Sequence, residues 1–174
     1  GVIAPNTLLV QTLVSQLRVT LDAIEAFDHA IAQRAQHHPD FPLFQALPGA
    51  GPVFASRLLV AFGEQRERYA SAAALQKYAG IAPVTERSGK KAWVHWRLQC
   101  PKFLRQTFVE WTAESIRHSF WAQVYYQQQR DKGNTHQAAV RALAFKWIRI
   151  LYRCWQERTP YDESVYLQAR KRRS

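Results

Sequence analysis

A helix that is apolar around most of its circumference has to be surrounded by other elements, and residues from about His136 to Arg158 read as one. Val140, Leu143, Ala144, Phe145, Trp147, Ile148, Ile150, Leu151 and Trp155 recur there and leave little of the surface polar. Such a segment predicts the central helix of a bundle. Its neighbours are legible beside it. After Pro101, the residues Leu104, Phe108, Trp111 and Ile116 share one face of a helix that ends near His118. Trp121, Val124 and Tyr125 open another helix, with Gly133 as its expected stop, and Asn134 or Thr135 is placed to cap the central one. Pro160 closes it. Hydrophobic residues make up 47% of the 174, enough for a core of ordinary domain size.

The chain begins with a different kind of helix. From about Pro5 to Gln36, the residues Val10, Leu17, Ile24 and Ile31 repeat every seven positions. Leu13, Thr20, Phe27 and Arg34 fill the companion positions, and Val14 and Leu21 widen the stripe. A seven-residue apolar repeat is what a helix carries when it pairs with another helix. This segment is therefore expected to be a coiled coil that ends at His37-His38-Pro39-Asp40. Next comes FQALPGAGP, from Phe44 to Pro52, followed by Val53 to Phe62. An apolar helical turn, two glycines and a helix opened by proline predict a helix-hairpin-helix. Gly49 and Gly51 permit a tight turn and let a phosphate come close to the backbone, at the positive end of the following helix. A plain tight connection between helices would use the same residues.

Ser71 is placed to cap a short helix from Ala72 to Ala79, stopped by Gly80. From Val84 to Gln99 the period changes to two: Val94, Trp96 and Leu98 alternate with His95, Arg97 and Gln99. With Ala82-Pro83-Val84 on the other arm, Arg87-Ser88-Gly89-Lys90 falls at the tip or shoulder of a small β-hairpin. The expected fold is mainly α, with a long coiled-coil-like N-terminal helix, a helix-hairpin-helix and a helical bundle carrying that hairpin. The expected organisation is 1–40 as the coiled-coil helix, 41–168 as the compact domain, and 169–174, with Arg170-Lys171-Arg172-Arg173, as a loose basic tail.

Lys and Arg total 24 against 13 Asp and Glu, a formal net charge of +11. That excess calls for a polyanionic partner, with nucleic acid foremost. No basic amphipathic terminal helix, lipidation signal, signal peptide or long apolar run points to a membrane. Cys100 and Cys154 lack metal-ligand spacing and read as free thiols in a reducing compartment. The sequence has no Met and starts with Gly, so a piece of a longer protein is expected. The candidate nucleic-acid contacts are Gly49, Gly51 and Arg57 in the helix-hairpin-helix, and Arg87, Lys90 and Lys91 in the basic turn. To these we add His95 and Arg97 on the adjoining strand, and Lys102 and Arg105 at the start of the next helix. Arg141, Arg149 and Arg153 lie four or eight positions apart on the central helix and are expected on one face; Arg149 and Arg153 complete the set.

Several kinds of active site find no support. A metal nuclease needs three or four convergent carboxylates, whereas Asp22, Glu25, Asp28, Glu64, Glu67, Glu110 and Glu114 are scattered over separate segments. No serine has the nucleophile-elbow pattern of a Ser-His-Asp hydrolase, and Cys100 sits directly before Pro101. Ser88 remains. A serine attacking a phosphodiester needs cations to hold the charge that develops on the phosphate oxygens, and arginine does this with two donors at once. Serine is also an ordinary turn residue. The residues alone leave both readings open.

The runs ALPGAGPVFASRLLVAFG, YASAAALQKYAGIAPVTERSGKK, FLRQTFVEW and AAVRALAFKWIRILYRCW, followed by TPYDE, resemble the C-terminal domain of the DEDD transposases of bacterial insertion sequences. These are the bridge-RNA-guided, serine-dependent recombinases. The resemblance covers Phe44 to about Tyr166, and the leading helix is similar to the family's coiled-coil region. It implies that Ser88, in the Ser-Gly pair after AGIAP, is the catalytic nucleophile and forms a phosphoserine link to DNA. It implies a preceding RuvC-like domain with an Asp-Glu-Asp-Asp tetrad and Mg²⁺, while the present residues hold no metal or other cofactor. It further implies DNA and a structured guide RNA as partners, a homodimer or homotetramer assembled through the first helix, no membrane, and a nucleoid-associated place in the bacterial cytoplasm. One stretch differs: many members carry Lys-Arg-Gly-Asn before a Leu-Arg pair, where this chain has Gln99-Cys100-Pro101-Lys102-Phe103 before Leu104-Arg105. The competing reading is a non-catalytic helix-hairpin-helix module for nucleic-acid binding and oligomerisation.

Overall fold

A computed structural model describes residues 3–89, 91–95 and 97–171. It divides into two units, 1–38 and 39–174. The first unit holds a single helix, α1 (Ile3–Gln36). Pro5 is accommodated because the first helical turn needs no N–H from it. Thr12, Ser15 and Thr20 donate their hydroxyls to the carbonyls of Leu8, Gln11 and Gln16, so these polar residues are satisfied within the helix. Val10, Leu17, Ile24 and Ile31 are each at least half exposed.

The second unit is a helical bundle with one small sheet. Its elements are α2 (Phe41–Gln45), α3 (Gly51–Phe62), a 3₁₀ turn at Arg66–Arg68, α4 (Ala72–Tyr78), β1 (Val84–Ser88), β2 (Lys91–His95), α5 (Lys102–His118), α6 (Phe120–Asp131), α7 (His136–Glu157) and α8 (Glu163–Lys171). As its composition dictates, α7 is the axis, packed by α4, α5 and α6, while α3 packs on α2 and α5. Val140, Leu143, Ala144, Trp147, Ile148, Ile150, Leu151 and Trp155 of α7 are buried. The Trp147 ring lies 4.9 Å from that of Trp111, 4.6 Å from that of Trp121 and 5.1 Å from that of Tyr161. A buried indole needs an acceptor for its N–H, and each of the four buried tryptophans has one. Trp147 donates to Ser115 Oγ at 2.9 Å, Trp111 to the Pro48 carbonyl at 3.2 Å, Trp121 to Tyr161 Oη and Trp155 to the Gly63 carbonyl at 3.1 Å.

The helix ends follow the local chemistry. Ser71 caps α4 by accepting from the Ala74 N–H, Thr135 rather than Asn134 caps α7 through Ala138, and Gly133 takes φ +82° after α6. The central helix stops at Glu157, where Arg158 adopts φ +50° and the Thr159 N–H returns to the Cys154 carbonyl. A charged pair underpins the start of the unit: Arg66 grips Asp40 through two bonds of 2.7 Å and lies 4.6 Å over the Trp155 ring.

Two expectations need correcting. The strand predicted to run to Gln99 ends at His95, because its partner begins at Val84, immediately after Pro83, which has no N–H to extend the ladder. Trp96 lies outside the described residues, and Leu98 is 83% exposed. The loose tail expected over 169–174 is helical as far as Lys171, within α8; residues 172–174 lie outside the described residues. Glu163, at the start of α8, accepts from Ser119 Oγ at 3.0 Å and from the Trp121 N–H at 3.1 Å, and so ties α8 to the N-terminus of α6.

Replacing Trp147 removes a buried ring and orphans part of a stack. Trp147→Ala is expected to lower stability by about 3–5 kcal/mol, measured by urea unfolding. A loss comparable to that of a surface substitution would contradict its place at the centre of the packing.

Candidate nucleic-acid interface

The hairpin pairs Val84 with His95, Thr85 with Val94, Glu86 with Trp93, Arg87 with Ala92 and Ser88 with Lys91. Gly89, at φ +58°, opens the short connection, as a tight hairpin requires; Lys90 lies outside the described residues. Directly paired residues share a face of the ladder. Ser88, Lys91, Glu86, Trp93 and His95 therefore project on one side, and Arg87, Thr85, Ala92 and Val94 on the other. Every strand residue except Val84 is exposed, so the hairpin stands out from the bundle.

This geometry sorts the cluster read from the sequence. Lys91 is directly opposite Ser88, at the free end. Arg87 is adjacent in sequence but points to the other face. His95 shares the serine's face yet sits at the far end of the ladder, about 14 Å away at roughly 3.4 Å per residue. Its Nε2 is 3.2 Å from Glu86 Oε1, and the Trp93 indole donates to Glu86 Oε2 at 3.1 Å. Glu86 and His95 thus engage each other and Trp93, not Ser88. Among the described residues, the Ser88 hydroxyl has no hydrogen-bond partner. Among the described residues, the arrangement presents an accessible hydroxyl paired across the ladder with Lys91 and no hydrogen-bonded general base.

Behind the hairpin, Arg97 and Lys102 are exposed and Arg105 is half-buried. Lys102 and Arg105 occupy the first turn of α5, where the helix dipole disfavours cations and where no acid is present. Cys100 packs against Gly80, whose φ of +69° and lack of a side chain make room for the sulfur.

The two glycines of the α2–α3 turn stand in different surroundings. Gly49 (φ +70°) and Gly51 (φ +51°) each need the left-handed backbone. At Gly49 a Cβ would lie 2.7 Å from His118 Cδ2 and 3.2 Å from Glu114 Cγ, so this glycine is required by packing against the end of α5. At Gly51 nothing lies within 4 Å, and the backbone is open. Arg57 is engaged within the bundle. It donates to Glu110 at 2.7 Å and to Thr107 at 3.2 Å, and lies over the rings of Phe54 and Phe103. Burial works against the Glu110 carboxylate, but hydrogen bonds from Arg57 and Gln106 and the Arg57 charge outweigh it, holding its pKa below the ordinary 4.5.

On α7, Arg149 and Arg153 are exposed, but Arg141 departs from the single face expected. Eight residues carry a helix about 80° past two whole turns. Arg141 instead enters a cleft of about 540 Å³ at the base of the hairpin, where burial brings its pKa down to about 10. The cleft is lined from the segment before β1, the end of β2, α6 and α7, and that convergence depends on how these elements pack. Among the described residues, no three His, Cys, Asp or Glu side chains gather as a metal site, and no helix is long and apolar enough to cross a membrane.

Residues 42–127 match the model of the transposase IS116/IS110/IS902 family. A Streptomyces coelicolor protein named as a mini-circle transposase for IS117 is 32% identical over 151 residues, covering 87% of this chain and 36% of that protein. The insertion element IS110 43.6 kDa protein of the same organism is 29% identical, covering 94% and 42%. The pilin gene-inverting protein of Moraxella bovis is 28% identical, covering 83% and 47%. The chain spans less than half the length of each of these curated relatives.

Two stability measurements test the packing around this surface. Gly51→Ala should cost about 1–2 kcal/mol through its backbone alone, and Gly49→Ala more, because its methyl also meets His118. Equal losses on urea unfolding would refute the Gly49 contact. The Glu110 carboxyl is depressed in the folded state, so its contribution is present above the ordinary 4.5 and is lost as pH falls through the folded value. The stability gap between wild type and Glu110→Gln should therefore be full at neutral pH and close in acid; a gap independent of pH would contradict the Arg57 pairing.

Proposed function

Because this chain belongs to the transposase IS116/IS110/IS902 family through residues 42–127, we propose that it is the serine-bearing part of an insertion-sequence transposase. The observation that carries the reading is Ser88, exposed at the end of a projecting hairpin and paired with Lys91, on a strongly basic chain. In this reaction Ser88 Oγ attacks the phosphorus of a DNA phosphodiester. The new P–O bond forms as the bond to the leaving sugar oxygen breaks, the serine proton passes to a base, and the leaving oxygen takes up a proton. Lys91 holds charge on the non-bridging oxygens. Strand exchange is the reverse attack, by a sugar hydroxyl of another strand on the phosphoserine. The named inversion activity of the Moraxella bovis relative fits such a recombinase.

The missing base has a bearing on the rest of the machinery. The nearest acid on the serine's face, Glu86, is held by Trp93 and His95, so the base is assigned to a segment outside this chain. A RuvC-like domain preceding it, with Mg²⁺ and an Asp-Glu-Asp-Asp set, would supply it. Among the described residues, no cluster of carboxylates fits Mg²⁺. The open backbone at Gly51, with Arg97, Lys102, Arg105, Arg149 and Arg153, would hold phosphate backbones of DNA and of a structured guide RNA. The exposed heptad face of α1 would join copies into a dimer or tetramer. The setting proposed is the bacterial nucleoid.

The test is capture of a covalent protein–DNA adduct with the full-length transposase. Wild type should yield an adduct mapping to Ser88. Ser88→Ala should abolish both the adduct and transposition, a fall of at least about a thousandfold, while DNA binding stays within about twofold. Normal transposition by Ser88→Ala would eliminate the nucleophile and leave a nucleic-acid-binding module.

A further inference from the structure

A cleft opens at the base of the hairpin, at the end away from Ser88. Its walls come from four places: Ile81 and Pro83 before β1, Val94 and His95 at the end of β2, Tyr125 of α6, and Arg141 with Phe145 of α7. Asn134 lies at its edge, and Ala138 and Ala142 keep the α7 side shallow. The volume, about 540 Å³, lies within the range of small-molecule sites. The chemistry is mixed in a particular way. Two aromatic rings and aliphatic side chains form the walls, and a guanidinium and a carboxamide supply the polar groups. Outside the lining, Lys146 Nζ lies 4.9 Å from the centre of the Tyr125 ring.

We propose that this cleft receives one unstacked nucleotide of the strand handled by the hairpin, its base against Tyr125 and Phe145 and its phosphate at Arg141. The proposal rests on the nucleic-acid reading of the chain and refines it. A nucleobase is flat and apolar on its faces and polar at its edge, which is what aromatic walls with Asn134 at their edge accept. A guanidinium half-sunk in an apolar cleft suits a phosphate better than a neutral ligand, and the +11 chain favours an anion throughout. The position is suitable as well. His95 lines the cleft at one end of the ladder while Ser88 ends the other, so an anchored nucleotide would sit about 14 Å along the hairpin from the serine. An unstacked strand covers that span in a few nucleotides. A duplex keeps its bases stacked and cannot enter, so the cleft distinguishes opened from paired strands.

The experiment measures binding of the full chain by fluorescence anisotropy. The probes are an oligothymidylate, the matching oligouridylate and a blunt duplex of equal charge. Arg141→Gln removes the cation; Ala142→Phe fills the cleft and keeps every charge. Each variant should lose about tenfold or more in single-strand affinity and stay within about twofold for duplex. Loss confined to oligothymidylate assigns a DNA strand, loss confined to oligouridylate an RNA strand, and loss of both the shared nucleotide chemistry. Unchanged single-strand binding by Ala142→Phe, or equal losses on duplex, would overturn the cleft as a nucleotide site while leaving DNA binding intact. Failure of the wild type to bind any of the three would instead overturn the nucleic-acid reading beneath it.

Discussion

The compact unit depends on four buried indoles whose N–H groups have to be satisfied. A buried donor left unpaired costs about 1–3 kcal/mol, so each tryptophan fixes the segment that holds its acceptor. Trp147 binds α7 to α5 through Ser115. Trp111 holds the α2–α3 turn through Pro48, Trp155 holds the end of α3 through Gly63, and Trp121 holds the segment before α8 through Tyr161. The rings of Trp111, Trp121 and Tyr161 all converge on Trp147. One apolar helix thereby sets the positions of both ends of the domain, and the glycine turn is held to the core by a side chain two helices away in sequence.

The hairpin is built on the opposite principle. Its ladder makes its own hydrogen bonds, and nearly all its side chains face solvent. A two-stranded ribbon is marginal by itself, so its shape owes much to its base, where Pro83, Val94 and His95 meet α6 and α7 around the cleft. The consequence is a firm root and a free tip. The bundle supplies position, the ribbon supplies reach, and Ser88 is the last residue of β1 before the turn.

What could be read from the sequence follows the same division. Helix positions, caps at Ser71 and Thr135, and the burial of α7 depend on residues near one another in the chain, and the sequence carried them. The hairpin was legible too, though alternation at Val94, Trp96 and Leu98 suggested a longer strand. Alternation describes one strand, whereas a ladder needs a partner, and Pro83 ends the partner's pairing. Proximity in sequence also grouped Arg87 with Ser88, but a strand turns successive side chains to opposite faces. Arg57 looked like a surface cation because nothing local announces Glu110, 53 residues away. The cleft was invisible for the same reason: Ile81, Tyr125 and Arg141 meet only through the packing of α4, α6 and α7. Helix α8 follows Pro160 and carries too few apolar residues to declare itself; its link to α6 is a single carboxylate, Glu163.

On the proposed reading, separating the nucleophile from its base has a physical advantage. A serine hydroxyl is a weak nucleophile until a base or a charged environment activates it. Ser88 is exposed, so water and stray phosphates reach it freely, and its direct partner in the ladder is Lys91. Glu86, which could act as a base, accepts from the Trp93 indole and lies 3.2 Å from His95 Nε2. The hydroxyl would then stay unreactive until another segment brought a base and a strand together at the tip. A recombinase has to avoid cutting DNA before both exchange partners are assembled. A hairpin that presents the attacking atom while its own acid is occupied meets that requirement through geometry, without a moving part inside the bundle.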